Sequence, residues 1–150
     1  WDFSKTPDIY DTAWQYDVIS KYPNDIEVKM SSRIGGGCKW IGTDGWVWVN
    51  RGRLDASNKE WIKKGFSAGK WKGYKSPGHQ RNFIDCVKSR KETVAPAENA
   101  HRAITPGHIA YVSHEIGRAI KWDPKKEAVI GDDKAHKILY SLPYRGDWKL

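Results

Sequence analysis

Residues 40–54 read WIGTDGWVWVNRGRL. Trp40, Trp46 and Trp48 fall within nine positions around an Asp-Gly pair, and an Arg-Gly-Arg follows. Rings so placed serve either as a platform for stacking bases or sugars or as the packed face of a sheet. Asp44-Gly45 is a hairpin signal, because a type I′ turn needs positive φ at both central positions. Trp46, Val47, Trp48 and Val49 then read as the return strand. Successive side chains alternate across a strand, so the tryptophans share one face and the valines the other. Both faces are therefore apolar. A sheet covered by helices on one side needs a single apolar face. The second face is expected to meet another subunit, another domain or a flat ligand.

The rest of the first third is also strand-like. Large apolar and polar residues nearly alternate over Trp14–Ile19. Tyr22-Pro23-Asn24-Asp25 has turn composition. Ile26, Val28 and Met30 alternate with Glu27, Lys29 and Ser31, the period of a half-buried strand. Gly35-Gly36-Gly37 breaks the pattern, and Cys38–Thr43 resumes it.

Beyond residue 56 the pattern becomes helical. Ser57 with Glu60 three residues on has capping-box form. Residues 65–75 are rich in Gly, Lys and aromatics and are expected to be irregular. Ser76-Pro77 suits the start of a helix, which would place Phe83, Ile84, Cys86 and Val87 on one arc and Arg81, Asp85 and Lys88 opposite. After Ala95-Pro96 a longer helix is expected, broken or bent at Pro106. Its later part would carry the stripe Ile109, Val112, Ile116 and Ile120 and end at Trp122-Asp123-Pro124. Asp132 can cap a last helix with the stripe Ala135, Ile138, Leu139 and Leu142. The tail from Ser141 reads as extended. Strands first and helices afterwards predict an α+β fold, an open antiparallel sheet with helices packed on one face.

The chain has 150 residues, 39% hydrophobic and 29% charged, which suits one globular domain with a core and excludes a disordered chain. No apolar run approaches the roughly 20 residues of a membrane span, so no membrane partner is expected. The opening WDFSKTPDIYDTAW has neither initiator Met nor signal-like character and reads as mid-domain sequence of an excised piece. Cys38 and Cys86 form no metal-ligand spacing and are expected as buried free thiols. That fits a reducing, cytoplasmic compartment; an upstream export signal would make it periplasmic.

The net charge of +8 is concentrated. Residues 59–91 hold ten Lys or Arg and two acids, Glu60 and Asp85, so this segment alone carries +8 and the remainder balances to zero. Within it, KEWIKKGFSAGKWKGYK (59–75) interleaves Trp61, Phe66, Trp71 and Tyr74 with six lysines. Aromatics beside cations characterise single-strand binders. The absence of Arg weighs against phosphate and guanine readers, and a solvated lysine face with rings tucked beneath is favoured. A basic Trp-rich module for nucleic acid or anionic polysaccharide is thus the second reading, with nucleic acid disfavoured.

Motifs for chemistry are sparse. Gly35-Gly36-Gly37 is not G-x-G-x-x-G, and no G-x-x-x-x-G-K-[ST] occurs, so the chain is not expected to bind a dinucleotide. None of the five histidines lies in H-E-x-x-H. His108 and His114 are about 240° apart around a helix, and no metal site is expected. Adjacent helical residues diverge, so Ser113-His114-Glu115 cannot form a triad. Asp132 and Asp133 suit the dipole at a helix start. Glu98 and His101 stand out because they follow Ala95-Pro96 at a helix entry, a place that often lines a cleft. Capping is the favoured role for Glu98.

Four stretches in fixed order carry a resemblance: IGTDGWVWVNRGRLDAS (41–57), HQRNFIDCVKSRKE (79–92), HRAITPGHIAYVSHEIGRAIKWDPKKE (101–127) and the closing LPYRGDWKL. Over about residues 10–150 the chain resembles the C-terminal half of the bacterial Gfo/Idh/MocA oxidoreductases. The resemblance implies a two-domain enzyme performing hydride transfer at a sugar or cyclitol hydroxyl carbon. A Rossmann domain outside this chain would bind NAD or NADP and supply the catalytic lysine. The Asp/His acid–base motif would also lie outside it, so no catalytic, cofactor-binding or metal-binding residue is carried over and the chain alone is expected to be inactive. What remains would be one wall of the substrate cleft and an oligomerising sheet. On that basis Glu98, His101 and Arg102 are substrate-cleft candidates, and Trp46 and Trp48 are interface candidates for a homo-oligomer.

Overall fold

A computed structural model describes residues 1–3, 12–66, 74–140 and 146–147. The chain divides into two compact units, residues 1–77 and 78–150. Of the tail expected to be extended, the described residues are Gly146 and Asp147, which form a turn with Gly146 at φ 58°; Leu142, and Lys70, Trp71 and Lys72 of the basic stretch, lie outside the described residues.

Among its described residues the first unit holds seven strands: β1 (Asp2–Phe3), β2 (Ala13–Gln15), β3 (Asp17–Lys21), β4 (Glu27–Ser31), β5 (Cys38–Gly42), β6 (Gly45–Asn50) and β7 (Arg53–Ala56). A 3-10 turn, Lys59–Ile62, follows. Every pairing is antiparallel. The layer expected as one open sheet is divided into β1–β2, β3–β4 and β5–β6–β7. The turn after β3 places Asn24 and Asp25 at φ of 61° and 58°, the left-handed region that Asn and Asp tolerate best after Gly.

The β5–β6 turn lies one residue earlier than the Asp44-Gly45 signal indicates. Gly42 pairs with Gly45, so Thr43 and Asp44 form the loop, and neither has positive φ. Gly45 opens β6 at φ 146°. A Cβ there would strike Ser57 Oγ and lie 3.1 Å from the Trp61 ring. Ser57 Oγ occupies that space because it accepts the Trp46 N–H at 2.9 Å and donates to the Trp46 carbonyl at 3.4 Å. Ser57 is therefore committed to the sheet and does not form the expected capping box. Asn58 caps the 3-10 turn instead, its Oδ1 accepting the Glu60 N–H at 3.0 Å.

The second unit holds α1 (His79–Ser89), α2 (Ala97–Ile116), the short hairpin β8 (Trp122–Asp123) with β9 (Ala128–Val129), and α3 (Asp133–Tyr140). Helix α1 starts after Gly78, at φ 121°, without a side-chain cap, so Ser76 is not the cap expected from sequence. Of the expected buried arc only Cys86 is buried. Asn82 and Cys86 are buried, whereas Phe83 is 62% exposed and Ile84 and Val87 are each 48% exposed. The reason lies in the following loop. Asn82 Oδ1 accepts the Val94 N–H at 2.9 Å, and Cys86 Sγ donates to the Glu92 carbonyl at 3.3 Å. These bonds turn the Asn82/Cys86 side towards residues 92–94.

Pro106 does not break α2. The helix runs through it, and Thr105 Oγ1 donates to the His101 carbonyl at 2.7 Å one turn earlier. Helix α2 stops at Ile116, short of the expected Ile120. Gly117 enters the left-handed region at φ 69° and donates to the His114 carbonyl, and Arg118 donates to that of Ser113. This is a Schellman stop. Asp132 caps α3 as its position suggests, Oδ1 accepting the Ala135 N–H at 3.0 Å. The buried apolar residues among those described are Ala56, Cys86, Ala110, Val112 and Ala135. Both cysteines are free, but Cys38 is exposed on the edge strand β5, contrary to the expectation that both are buried.

Candidate functional site

The register assigns each face of β5–β6–β7. Trp48 pairs with Lys39 and Asp55, and Trp46 with Ile41, on one face. Val47 lies between Trp40 and Ala56, and Val49 between Cys38 and Leu54, on the other. Trp46 and Trp48 are half-buried. Trp48 Nε1 donates to the Gly36 carbonyl at 3.2 Å, and Lys39 Nζ stands 4.1 Å from the Trp46 ring centre. Gly37 packs against the Trp48 indole so closely that a Cβ would lie 2.9 Å from Nε1. The two indoles are thus engaged by their own hairpin's neighbours and do not form a bare stacking platform. Both faces keep exposed apolar side chains: Ile41 beside Trp46 is 78% exposed, and on the opposite face Trp40 is 57% and Leu54 53% exposed.

The basic stretch is partly neutralised where it is described. Lys59 pairs with Asp55, and Lys63 Nζ lies 2.6 Å from Glu60. Asp55 is held below the usual carboxylate range, first by the Lys59 ammonium and then by the Ala56 N–H.

The three candidates at the entry to α2 come together with a residue that sequence reasoning missed. Glu98 lies in the first turn of α2 and makes no capping bond. One helical turn on, Arg102 Nε donates to Glu98 Oε1 at 2.7 Å, the i,i+4 spacing that brings side chains together. Arg102 Nη1 donates to the Pro124 carbonyl at 2.8 Å and lies 3.0 Å from Glu127 Oε1. His101 Nε2 lies 3.1 Å from the same Glu127 oxygen. The bond to Glu98, followed by the charges of Glu98 and Glu127, pushes the Arg102 guanidinium further up.

Glu127 sits in the four-residue loop closing the β8–β9 hairpin, at φ 49°. Its carbonyl accepts the Tyr140 hydroxyl from α3. The loop is ordered from within, since Asp123 Oδ1 accepts the N–H groups of Lys125 at 2.9 Å and Lys126 at 3.1 Å. Those two bonds hold the Asp123 carboxyl below its ordinary range. In the sequence, Asp123-Pro124 is a turn signal, but nothing there links Glu127 to a helix 26 positions earlier.

Chemically, the cluster offers hydrogen bonds to hydroxyl groups. Nε and Nη1 of Arg102 are occupied, while its Nη2 donors and His101 Nδ1 carry none of these bonds. Among the described residues no three His, Cys, Asp or Glu side chains cluster to hold a metal ion. A shallow hollow lined by His79, Asn82, Phe83 and Thr93–Ala95 has one histidine on its rim and no acid–base partner for it. Among the described residues no helix is long and apolar enough to cross a membrane.

Comparison with known proteins places this second unit. The model for the C-terminal alpha/beta domain of the Gfo/Idh/MocA oxidoreductase family matches residues 70–150, more than half of the chain. No curated protein and no solved structure matches it. The matched segment contains α1, the α2 entry with Glu98, His101 and Arg102, the hairpin and α3. The chain belongs to the Gfo/Idh/MocA oxidoreductase family and carries its C-terminal α/β domain.

Proposed function

We propose that the 150 residues form one C-terminal domain that builds a wall of the substrate cleft and an oligomeric interface in an NAD- or NADP-dependent sugar or cyclitol oxidoreductase. A Rossmann domain belonging to the same protein binds the nucleotide and supplies the catalytic lysine. The family match over residues 70–150 carries this reading. The α2 entry supports it chemically: the Nη2 donors of Arg102 and His101 Nδ1 suit polyol hydroxyls, while Glu98 and Glu127 fix the guanidinium. The sheet face bearing Trp46 and Trp48 forms the subunit contact, with the exposed Ile41 beside Trp46 adding apolar area. A reducing, cytoplasmic compartment suits the free thiol of exposed Cys38.

The 150-residue chain alone is expected to reduce neither NAD⁺ nor NADP⁺ with any polyol or sugar. In the intact enzyme, Arg102→Ala should raise KM and leave kcat nearly unchanged, as loss of uniform binding does. Turnover by the isolated chain overturns the reading. Sedimentation of the chain at tens of micromolar tests the interface separately, and a clean monomer removes it.

A further inference from the structure

We infer that Glu127 is a positioning residue: its charge clamps the loop of the β8–β9 hairpin onto the first turns of α2. The backbone there is left-handed, at φ 49°. That conformation is sterically unfavourable for a residue with a Cβ, and Gly is its usual occupant. A glutamate held there needs compensation from its side chain or its carbonyl. The structure shows both. Glu127 Oε1 takes His101 Nε2 at 3.1 Å and Arg102 Nη1 at 3.0 Å, and the Glu127 carbonyl takes the Tyr140 hydroxyl. One residue thus joins the loop to α2 through its side chain and to α3 through its backbone.

Two further sets of bonds are internal to the hairpin. Asp123 orders the loop, and Ile130 N–H donates to the Lys121 carbonyl at 2.8 Å at the open end. Arg102 also donates to the Pro124 carbonyl, but Arg102 is itself aimed by Glu98 and Glu127. The ion pair of Glu127 with Arg102 is half-exposed, so salt screens it. The clamp is consequently a strap that loosens as ionic strength rises. It stands whether or not the α2 entry borders a substrate cleft.

The test is residue-resolved amide exchange on the 150-residue chain, wild type against Glu127→Gln, at low salt and at about 1 M NaCl. Glutamine keeps the size and an acceptor oxygen but removes the charge. Protection at Lys125, Lys126 and Ile130 should fall about fivefold in E127Q at low salt, the upper end for an exposed charged contact. High salt should lower wild-type protection at those amides and leave E127Q unchanged. Val94, held by Asn82 elsewhere in the unit, should not respond. Unchanged hairpin protection in E127Q overturns the clamp. So does equal salt sensitivity in both proteins, or an equal loss at Val94, which would report general unfolding.

Discussion

Replacing Asn82 by Ala tests the organisation of the second unit at the most buried polar residue among those described. Asn82 is 4% exposed, and its Oδ1 is the acceptor for the Val94 N–H at 2.9 Å. Truncation leaves the half-buried Val94 donor without that partner. An orphaned buried donor costs about 1–3 kcal/mol, so we expect a loss near 2 kcal/mol. For a unit spanning residues 78–150 this lowers Tm by roughly 8–16 °C. The assay is thermal unfolding followed by helix circular dichroism, joined to amide exchange at Val94. Cys86→Ala is the comparison. It removes a weak S–H donor to the Glu92 carbonyl of the same loop and should cost less. Because both side chains fasten one loop, the double variant should lose less than the sum of the two. The reasoning fails if Val94 exchange is unchanged in N82A, or if the loss stays below about 0.5 kcal/mol, the level of an ordinary surface substitution.

Two further outcomes follow from the geometry. Gly45→Ala should destabilise the tryptophan hairpin by about 2–4 kcal/mol, because the new methyl displaces Ser57 Oγ from the Trp46 N–H and crowds Trp61; urea unfolding followed by indole fluorescence measures it, and an unchanged midpoint contradicts it. Acid should weaken the protein through Asp132, which is held below its ordinary range first by the Ala135 N–H and also by the Arg118 guanidinium. A depressed folded value means that the unfolded chain binds more protons in acid, so the contribution is present above about pH 4 and lost as pH falls through the folded value. Asp132→Asn keeps a capping oxygen and should flatten the acid limb of a urea-midpoint series from about pH 6 to pH 2.5; an unaltered limb assigns the effect elsewhere.

Local signals were legible wherever one residue type satisfied one nearby backbone need. The Tyr22–Asp25 turn and the Asp132 cap depend on partners within a few positions, and the structure realises both. The alternation around Met30 does form a strand, but Ile26 and Val28 stay 57% and 40% exposed, so it is not the half-buried strand expected. The hairpin at Trp122–Val129 was not legible, because two-residue strands are too short for a period to register. Pro106 does not break α2, because a proline removes one donor and the surrounding turns of the helix tolerate that loss. Ser57 has capping-box letters, but Trp46, eleven residues earlier, takes its hydroxyl.

By itself the sequence determined the α+β class, the run of strands before the first helix and, through spaced motifs, the family. These rest on periodicity and on residues close along the chain. Only the tertiary structure decided which face of α1 is buried, that Cys38 is exposed, and that Glu127 joins Glu98, His101 and Arg102. Those outcomes depend on which distant group arrives to take a donor or acceptor. A one-dimensional pattern records the need for a partner without recording which residue meets it.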